Sequence, residues 1–383
     1  MKEHEEIKKI LKNFWEKNPH LRGIPYEEWE KAYDKAKLIF TTWKNFTFFR
    51  LNKEFKNFPV GTFFNDKLFI KGYPSIPRIY ILKTGLKRYL TYPFYAEEKI
   101  EGYNVRLVKV GREILAFTRR GYICPFATDR WEDFLPRLSE FFEKFPNCYI
   151  CCEVAGPENP FVSEWPQYIK EDINFFVFDI VNWEKGEFFE VSKKLKLLKE
   201  FNLNHPEILG PLDPEKDYEF IRRTIKRYHS EGREGFVFKT EANTARVKYV
   251  TPYSNLMDLK IVFPFLGEVD PNYVSLRLIR LLTSLYEFEE YKEEIFRDIG
   301  KYLFEDALKL LKSKEICEET FTVRFKKEEN FLALLAHFKL ARVNIEVLEK
   351  TWKKNYLFVK FKKIYPKATQ FWRHKLEGWG EFD

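Results

Sequence analysis

Glutamine occurs only at Gln167 and Gln370, and methionine is equally scarce, while lysine and glutamate abound. That balance is seen in proteins of heat-adapted organisms and points to a thermophile source. No apolar run approaches the roughly 20 residues needed to span a bilayer. The opening MKEHEEIKKILKNF mixes acids with amphipathic spacing and lacks the apolar stretch and small-residue cleavage site of a signal peptide. A cytoplasmic protein without a membrane partner is expected. There is no GxxxxGK[ST] phosphate loop, which argues against a P-loop NTPase, and no HExxH. The histidines at 4, 20, 205, 229, 337 and 374 are scattered. Cys148 and Cys151 have the CxxC interval, but no second CxxC or histidine pair completes the four ligands of a zinc site. The apolar neighbours in NCYICCEV favour small thiols buried in a strand.

What is present describes a globular protein with a polyanionic leaning. The 66 basic residues exceed the 58 acidic ones, for a formal charge of +8, which favours a polyanionic partner without proving one. Aromatic residues make up 18% of the chain; most are needed for packing, and the rest are available to stack on bases. At 383 residues the chain exceeds one ordinary core and accommodates a catalytic domain of about 200 residues with smaller attachments.

Periodicity divides the chain into four stretches. Residues 1–60 read as mainly helical: Ile7, Ile10, Leu11 and Phe14 follow one helical stripe, and Trp29, Tyr33, Ala36 and Phe40 follow a second after Pro25. From residue 61 to 255, short β-rich runs separated by glycine and proline alternate with helices near 131–145 and 214–230, an α+β pattern of mostly antiparallel strands. Residues 256–316 turn helical, with Val274, Leu278, Ile279, Leu282, Leu285 and Tyr286 forming an apolar face that must be buried in its own domain or in a symmetric homodimer. Residues 317–383 are mixed α/β and include WKKNYLFVKFKKIYPK. There, alternation fits one buried and one solvated strand face as well as it fits a basic, aromatic surface for nucleic acid.

The chemistry lies in short motifs in fixed order, each weak alone. Lys99-Ile100-Glu101-Gly102 places a lysine where a strand meets a turn, which by itself is usually a solvated charge. Thr118-Arg119-Arg120-Gly121 ends a strand with two guanidinium groups. Cys152-Glu153-Val154-Ala155-Gly156 ends an apolar strand with one carboxylate. Phe175-Phe176-Val177-Phe178-Asp179 sets Phe176 and Phe178 on one strand face. Glu234-Gly235-Phe236-Val237-Phe238-Lys239 and Arg246-Val247-Lys248 complete the set.

This order, over roughly residues 95–250, resembles the covalent nucleotidyltransferase superfamily of polynucleotide ligases and mRNA capping enzymes. The wording around the lysine, YAEEKIEGYNVR, and the helical segments downstream look most like the archaeal homodimeric ATP-dependent RNA ligases. The resemblance implies a nucleotidyltransferase domain on antiparallel sheets, ATP as AMP donor, Mg2+ or Mn2+, and RNA with 5′-phosphate and 3′-OH ends as the partner to be joined or circularised. It makes Lys99 the nucleophile and places Lys239 and Lys248 at the α-phosphate. Glu234 becomes the metal ligand, with Glu153 as a second candidate. Glu153 also accepts from the ribose hydroxyls, Phe178 or Phe176 stacks on adenine, and Val237 presses on its other side. Glu97, Ile100, Gly102 and Arg246 fall in the ATP-binding motifs, while Arg106, Arg119 and Arg120 are candidates for ribose, phosphate or RNA-end contacts. Two positions depart from the family pattern: Glu101 stands where aspartate is usual, and Asn104 replaces the arginine five residues after the lysine, with Arg106 two positions later. No basic motif of the kind that follows an OB-fold domain is visible after Lys248, which weakens the DNA-ligase and capping readings. A non-catalytic RNA-binding protein is the alternative from another class.

A lysine amine, with a free pKa of about 10.4, attacks only when deprotonated. The expectation is that Lys239, Lys248 and a divalent cation near Lys99 disfavour its charged form by repulsion, aided by desolvation, and that the same cations neutralise the reacting phosphates.

Overall fold

The computed structural model describes residues 2–289, 292–313 and 315–380. The chain forms two compact units of interleaved segments: residues 1–75, 103–154 and 175–205 in the first, and 76–102, 155–174 and 206–383 in the second. The span 61–255 therefore contributes to both.

In the first unit the helix Lys2–Lys17 follows the expected stripe. The second helix, however, runs only from Tyr26 to Asp34, because Ala36 takes a left-handed conformation at φ 52° and stops it. Phe40 instead lies on a strand, Leu38–Trp43, paired antiparallel with Phe46–Leu51. Both segments, LIFTTW and FTFFRL, are β-branched and aromatic, and the paired alternative outweighs the helical spacing. Residues 1–60 are thus helical only in their first half, and a four-stranded sheet completed by Phe63–Phe64 and Phe69–Ile70 follows. Its core joins Leu11, Phe14, Trp29, Phe49, Phe64 and Phe69. A five-stranded sheet in the order Glu187–Phe188, Asn174–Asn182, Cys148–Ala155, Tyr103–Val110, Glu113–Thr118 makes up the rest. Cys148, Cys151 and Cys152 are buried in it, and burial pushes the Cys148 thiol up to about 11 and raises that of Cys152 well above its ordinary value. They are packing residues.

The second unit is built on a four-stranded antiparallel sheet: Ile208–Leu212, Phe94–Lys99, Gly235–Thr240, Arg246–Val250. Period-two alternation gives its faces different work. Phe94, Ala96, Phe236, Phe238, Val247 and Tyr249 are buried in a core with Leu82, Leu86, Ile221, Ile225 and Tyr228 from the helices Leu82–Tyr89 and Tyr218–Ser230. The other face carries Glu97, Lys99, Val237, Lys239, Arg246 and Lys248. The helices Pro252–Val262, Pro271–Phe288 and Glu293–Ser313 follow. Leu281, Ser284, Leu285 and Phe288 are buried, whereas Leu278, Leu282 and Tyr286, four residues apart, are exposed, Leu282 and Tyr286 by about two thirds (67% and 68%). Among the described residues no helix is long and apolar enough to cross a membrane.

Residues 318–376 form a strand Glu318–Phe325, a helix Glu328–Leu340, strands Asn344–Lys353 and Tyr356–Ile364, and a helix Pro366–Leu376. The last strand is central in the sheet. Its face bearing Leu357, Val359 and Phe361 is buried with Val323, Phe325, Phe331, Leu334 and Phe338. Lys363 shares that face, with Nζ 4.0 Å from the Phe321 ring and 3.3 Å from the Phe161 carbonyl oxygen to which it donates. Burial lowers its pKa to about 8, against a small upward pull from Glu319. Below pH 8 the folded and unfolded chains both carry the proton, and the folded one bears the cost of the buried charge. Between about 8 and 10.5 only the unfolded chain keeps it, so Lys363 makes stability rise with pH across that window, by up to about 3 kcal/mol. Lys363→Met should raise the neutral-pH melting temperature and flatten this rise. Unchanged alkaline denaturation curves would contradict the assignment.

Candidate active site

Lys99 ends its strand opposite Gly235. Gly235 has φ 149°, and a Cβ there would lie 2.2 Å from the Tyr249 carbonyl oxygen, so only glycine lets the strands close at this point. That closure brings Glu234 to Lys99: Nζ lies 2.5 Å from Glu234 Oε1, with the lysine side chain 24% exposed and the glutamate 8%. Burial raises the Glu234 pKa, and the Lys99 charge opposes the rise. Glu234 Oε2 is buried and has no hydrogen-bond partner among the described residues. A buried carboxylate oxygen left in that state is costly, and a divalent cation is the kind of ligand that would relieve it, so the site fits the metal that the motif implies. Magnesium is commonly held by one or two carboxylates and keeps several waters.

The expected phosphate-binding lysines divide. Lys248 is half-buried on the same sheet face as Lys99, directly opposite Val237. Lys239 instead donates to Glu97 Oε2 at 2.7 Å, both side chains only 1% exposed. Removing either partner would strand a buried charge, so this pair ties two neighbouring strands together. Arg246 is held by Asn243, through Nε to Oδ1 at 2.6 Å and a terminal nitrogen to the backbone oxygen at 2.9 Å. Ile100 is buried and Gly102 lies in the turn that follows.

The opposite face of the lysine strand is fixed by a second charged group. Glu98 pairs with Arg233, which also meets Glu207 at 2.8 Å; Tyr228 donates to Glu207 at 2.8 Å, and the guanidinium sits 3.7 Å from the Tyr228 ring. Desolvation lowers the Arg233 pKa, but the hydrogen bond and charge of Glu98 more than offset it, and the net shift is upward. Arg233 is permanently charged and anchors the strand that positions Lys99.

Three arginines here were missed from sequence. Arg78 bridges Lys248 in parallel, its segment joined by Ile79 N to Lys248 O at 3.0 Å and Lys248 N to Pro77 O at 2.9 Å. Burial lowers its pKa, with Arg280, Glu234, Arg277 and Asp258 as its charged surroundings. Arg277 meets Asp258 at 2.7 Å, while the buried Nε of Arg280 has no partner among the described residues. Arg78 precedes the lysine motif and the other two lie on the helix Pro271–Phe288, so no motif spacing links them; the one signal was two arginines three apart on an otherwise apolar helix.

The first unit holds the remaining candidates. Glu153 is half-buried and faces Asn104 across the strand pair. Phe178 is half-buried, edge-on to Tyr73 at 5.6 Å, and its carbonyl oxygen accepts from Lys194 at 2.7 Å; Tyr73 donates to Asp179 at 2.6 Å. Phe176 is only 6% exposed, so Phe178 is the ring better able to meet a base. Arg119 and Arg120 are exposed on the turn after Glu113–Thr118.

Arg106 corrects an expectation. It is 0% exposed, and its guanidinium donates to the carbonyl oxygens of Lys71 (2.8 Å), Gly61 (2.7 Å), Thr118 (3.0 Å) and Arg119 (3.4 Å) over the Phe63 ring. It holds the Arg119–Arg120 turn and is too enclosed to meet ribose, phosphate or RNA. Arg106→Met should therefore destabilise the protein by about 3 kcal/mol, because the carbonyls lose a shared donor. A denaturation midpoint equal to wild type would refute the clamp.

The site is thus a lysine at a glycine-closed strand end, braced against a carboxylate with a spare oxygen and sharing a face with further cations. Residues 92–250 match the RNA ligase family and residues 261–379 match the C-terminal region of the Pab1020 ligase. An Aquifex aeolicus protein provisionally named an ATP-dependent DNA ligase is 34% identical, with a TM-score of 0.88 over 94% of this chain and 100% of that one. Two forms of an archaeal ATP-dependent RNA ligase share the fold at TM-scores of 0.85 and 0.84, 24% identity, 94% of this chain and 97% of theirs. An uncharacterised protein of Methanocaldococcus jannaschii is 30% identical over 341 residues, 85% of each chain. The chain belongs to the RNA ligase family, in the branch that carries the Pab1020-type C-terminal region. It is an enzyme of that family with an α+β nucleotidyltransferase fold.

Proposed function

We propose that the enzyme seals RNA ends through a covalent lysyl-AMP at Lys99. The observation that carries this reading is the Lys99–Glu234 contact at the mouth of the cationic sheet face. The Lys99 amine meets a carboxylate, whose negative charge opposes loss of its proton. Glu234, once its second oxygen is engaged, loosens its hold on the ammonium and the proton leaves to solvent. The neutral amine attacks the α-phosphorus of ATP; the N–P bond forms, the bond to the bridging oxygen breaks and pyrophosphate departs. Lys248 neutralises the α-phosphate, and Arg78 and Arg280 meet the leaving phosphates. Magnesium or manganese at Glu234 would supply positive charge against the phosphates as the transition state develops.

In the same reading Phe178 is the ring offered to adenine and Glu153 the acceptor for the ribose hydroxyls, while Val237 shares the sheet face of Lys99. An RNA 5′-phosphate then takes AMP from the lysine, and a 3′-OH attacks that activated phosphate, expelling AMP and closing the phosphodiester. Arg119 and Arg120, exposed on a turn held by Arg106, are available to the RNA end. The exposed Leu278, Leu282 and Tyr286 stripe supports a homodimer, which light scattering at micromolar concentration tests by returning a dimer or a monomer.

The name of the Aquifex relative favours a second reading, nick sealing in DNA. Purified enzyme with ATP and magnesium, offered 5′-phosphorylated single-stranded RNA and a nicked DNA duplex in parallel, separates the two. Joined or circular RNA, with the nick left open, is expected; sealing of the nick alone would replace the RNA reading.

A further inference from the structure

The C-terminal sheet has a second face that the adenylylation chemistry does not use. In the register of the strand pairs, Tyr356, Phe358, Lys360 and Lys362 alternate with the buried Leu357, Val359 and Phe361 and stand beside Arg324, Thr322, Thr320, Thr351 and Lys353. Tyr356 and Phe358 are half-buried, while Lys353, Lys354 and Lys360 are exposed. Residues 350–367 contain seven lysines and no acidic residue.

Order and placement together identify what such a face takes. The chain runs strand, helix, strand, strand, helix, with the third strand between the first and second. RNA-recognition sheets have this arrangement plus a fourth strand, and display two aromatic rings on the central strand at alternate positions within a K/R-G-F/Y-G/A-F-V-x-F/Y run. Here the central strand and its turn read Lys354-Asn355-Tyr356-Leu357-Phe358-Val359-Lys360-Phe361. Six of the eight positions agree with that run, counting the unrestricted one, and the two departures are Asn355 and Leu357. The edge where a fourth strand would pair, Glu318–Phe325, is held instead by the segment 156–173: Arg324 pairs with Glu158 and meets Asp172 at 3.4 Å, and Phe161 packs 5.8 Å from Phe338. The rings already lie under cations, with the Arg324 guanidinium 4.9 Å and Lys353 Nζ 5.5 Å from Phe358.

We propose that this face is a single-stranded RNA platform on which two successive bases stack on Tyr356 and Phe358 while Lys353, Lys354 and Lys360 follow the phosphates. It rests on the RNA ligase reading only for the choice of RNA, and it gives the enzyme a grip on its substrate away from the reacting end. Stacking is worth about tenfold in affinity for each base and tolerates any sequence, and each phosphate contact adds salt dependence.

The test uses the full chain, a fluorescent 5′-phosphorylated RNA 12-mer without secondary structure, and self-labelling with α-labelled ATP measured alongside. Tyr356→Ala with Phe358→Ala should weaken RNA binding by about a hundredfold and leave labelling at the wild-type level. Lys353→Glu with Lys354→Glu, exposed at a strand end and the turn after it, should weaken binding at least tenfold and make the logarithmic salt dependence shallower by about 1.4 for two phosphates. Wild-type affinity in the lysine variant would overturn the platform. Labelled enzyme whose RNA binding ignores all four residues refutes the platform and leaves the ligase standing. Unlabelled enzyme whose RNA binding depends on them refutes the ligase and leaves the platform standing.

Discussion

Lys99→Arg should abolish transfer of AMP to the protein, cutting the covalent label at least about a thousandfold, while leaving the melting temperature within a degree or two of wild type. The substitution keeps a cation beside Glu234, where the wild-type ion pair spans 2.5 Å, so the local electrostatics survive. It removes the one thing a guanidinium cannot provide, a neutral nitrogen at accessible pH. Lys99→Ala should lose label equally but also leave Glu234 without its counter-charge. If the arginine variant keeps measurable labelling, the role of Lys99 is electrostatic and the nucleophile is elsewhere. Both variants should still join an RNA supplied with its 5′ end already adenylylated, because that substrate enters after the lysine has done its work.

Glu234→Gln should slow labelling by about a hundredfold to a thousandfold, with the divalent-ion requirement shifted to higher concentration. Stability should hold or improve near neutral pH. Burial raises the Glu234 pKa, so between the unfolded value near 4.5 and the raised folded value the native protein binds the extra proton, and its stability falls as pH rises through that window. The amide removes this slope. The same shift governs activity in the opposite sense: protonated Glu234 neither pairs with Lys99 nor holds a cation, so wild-type labelling falls as pH drops through the folded pKa. The glutamine variant, slow throughout, should lack that acid limb. A variant with wild-type rate and metal dependence would remove Glu234 from the mechanism.

The two halves of the site were legible to different depths. Period-two alternation within EGFVFK and RVK was enough to put Val237 and Lys248 each on the face opposite its own apolar neighbours. What alternation cannot give is register. Lys239 reaches Glu97 because Val237, not Lys239, stands opposite Glu97, and that offset places the two charges on a buried diagonal. Arg106 misled for a related reason: its acceptors on Gly61, Lys71 and Thr118 come from turns up to 45 residues away, and no local pattern announces an arginine spent on carbonyl oxygens. The same limit hid Arg78, whose link to Lys248 is a backbone bridge across 170 positions. At the N-terminus, spacing that suited a helix through Phe40 lost to hairpin pairing. Of the tail's two readings the alternating strand is the one observed: Tyr356–Ile364 buries one face and leaves aromatic and basic groups on the other, where RNA binding is the proposal.

Mapping the covalent adduct tests the central claim most directly. Purified protein is incubated separately with each of the four α-labelled ribonucleoside triphosphates and magnesium, then digested, and the labelled peptide is sequenced. Acid-labile AMP from ATP alone, on the peptide that contains Lys99, is the predicted result. Label from GTP, label on any other residue, or none at all would contradict it.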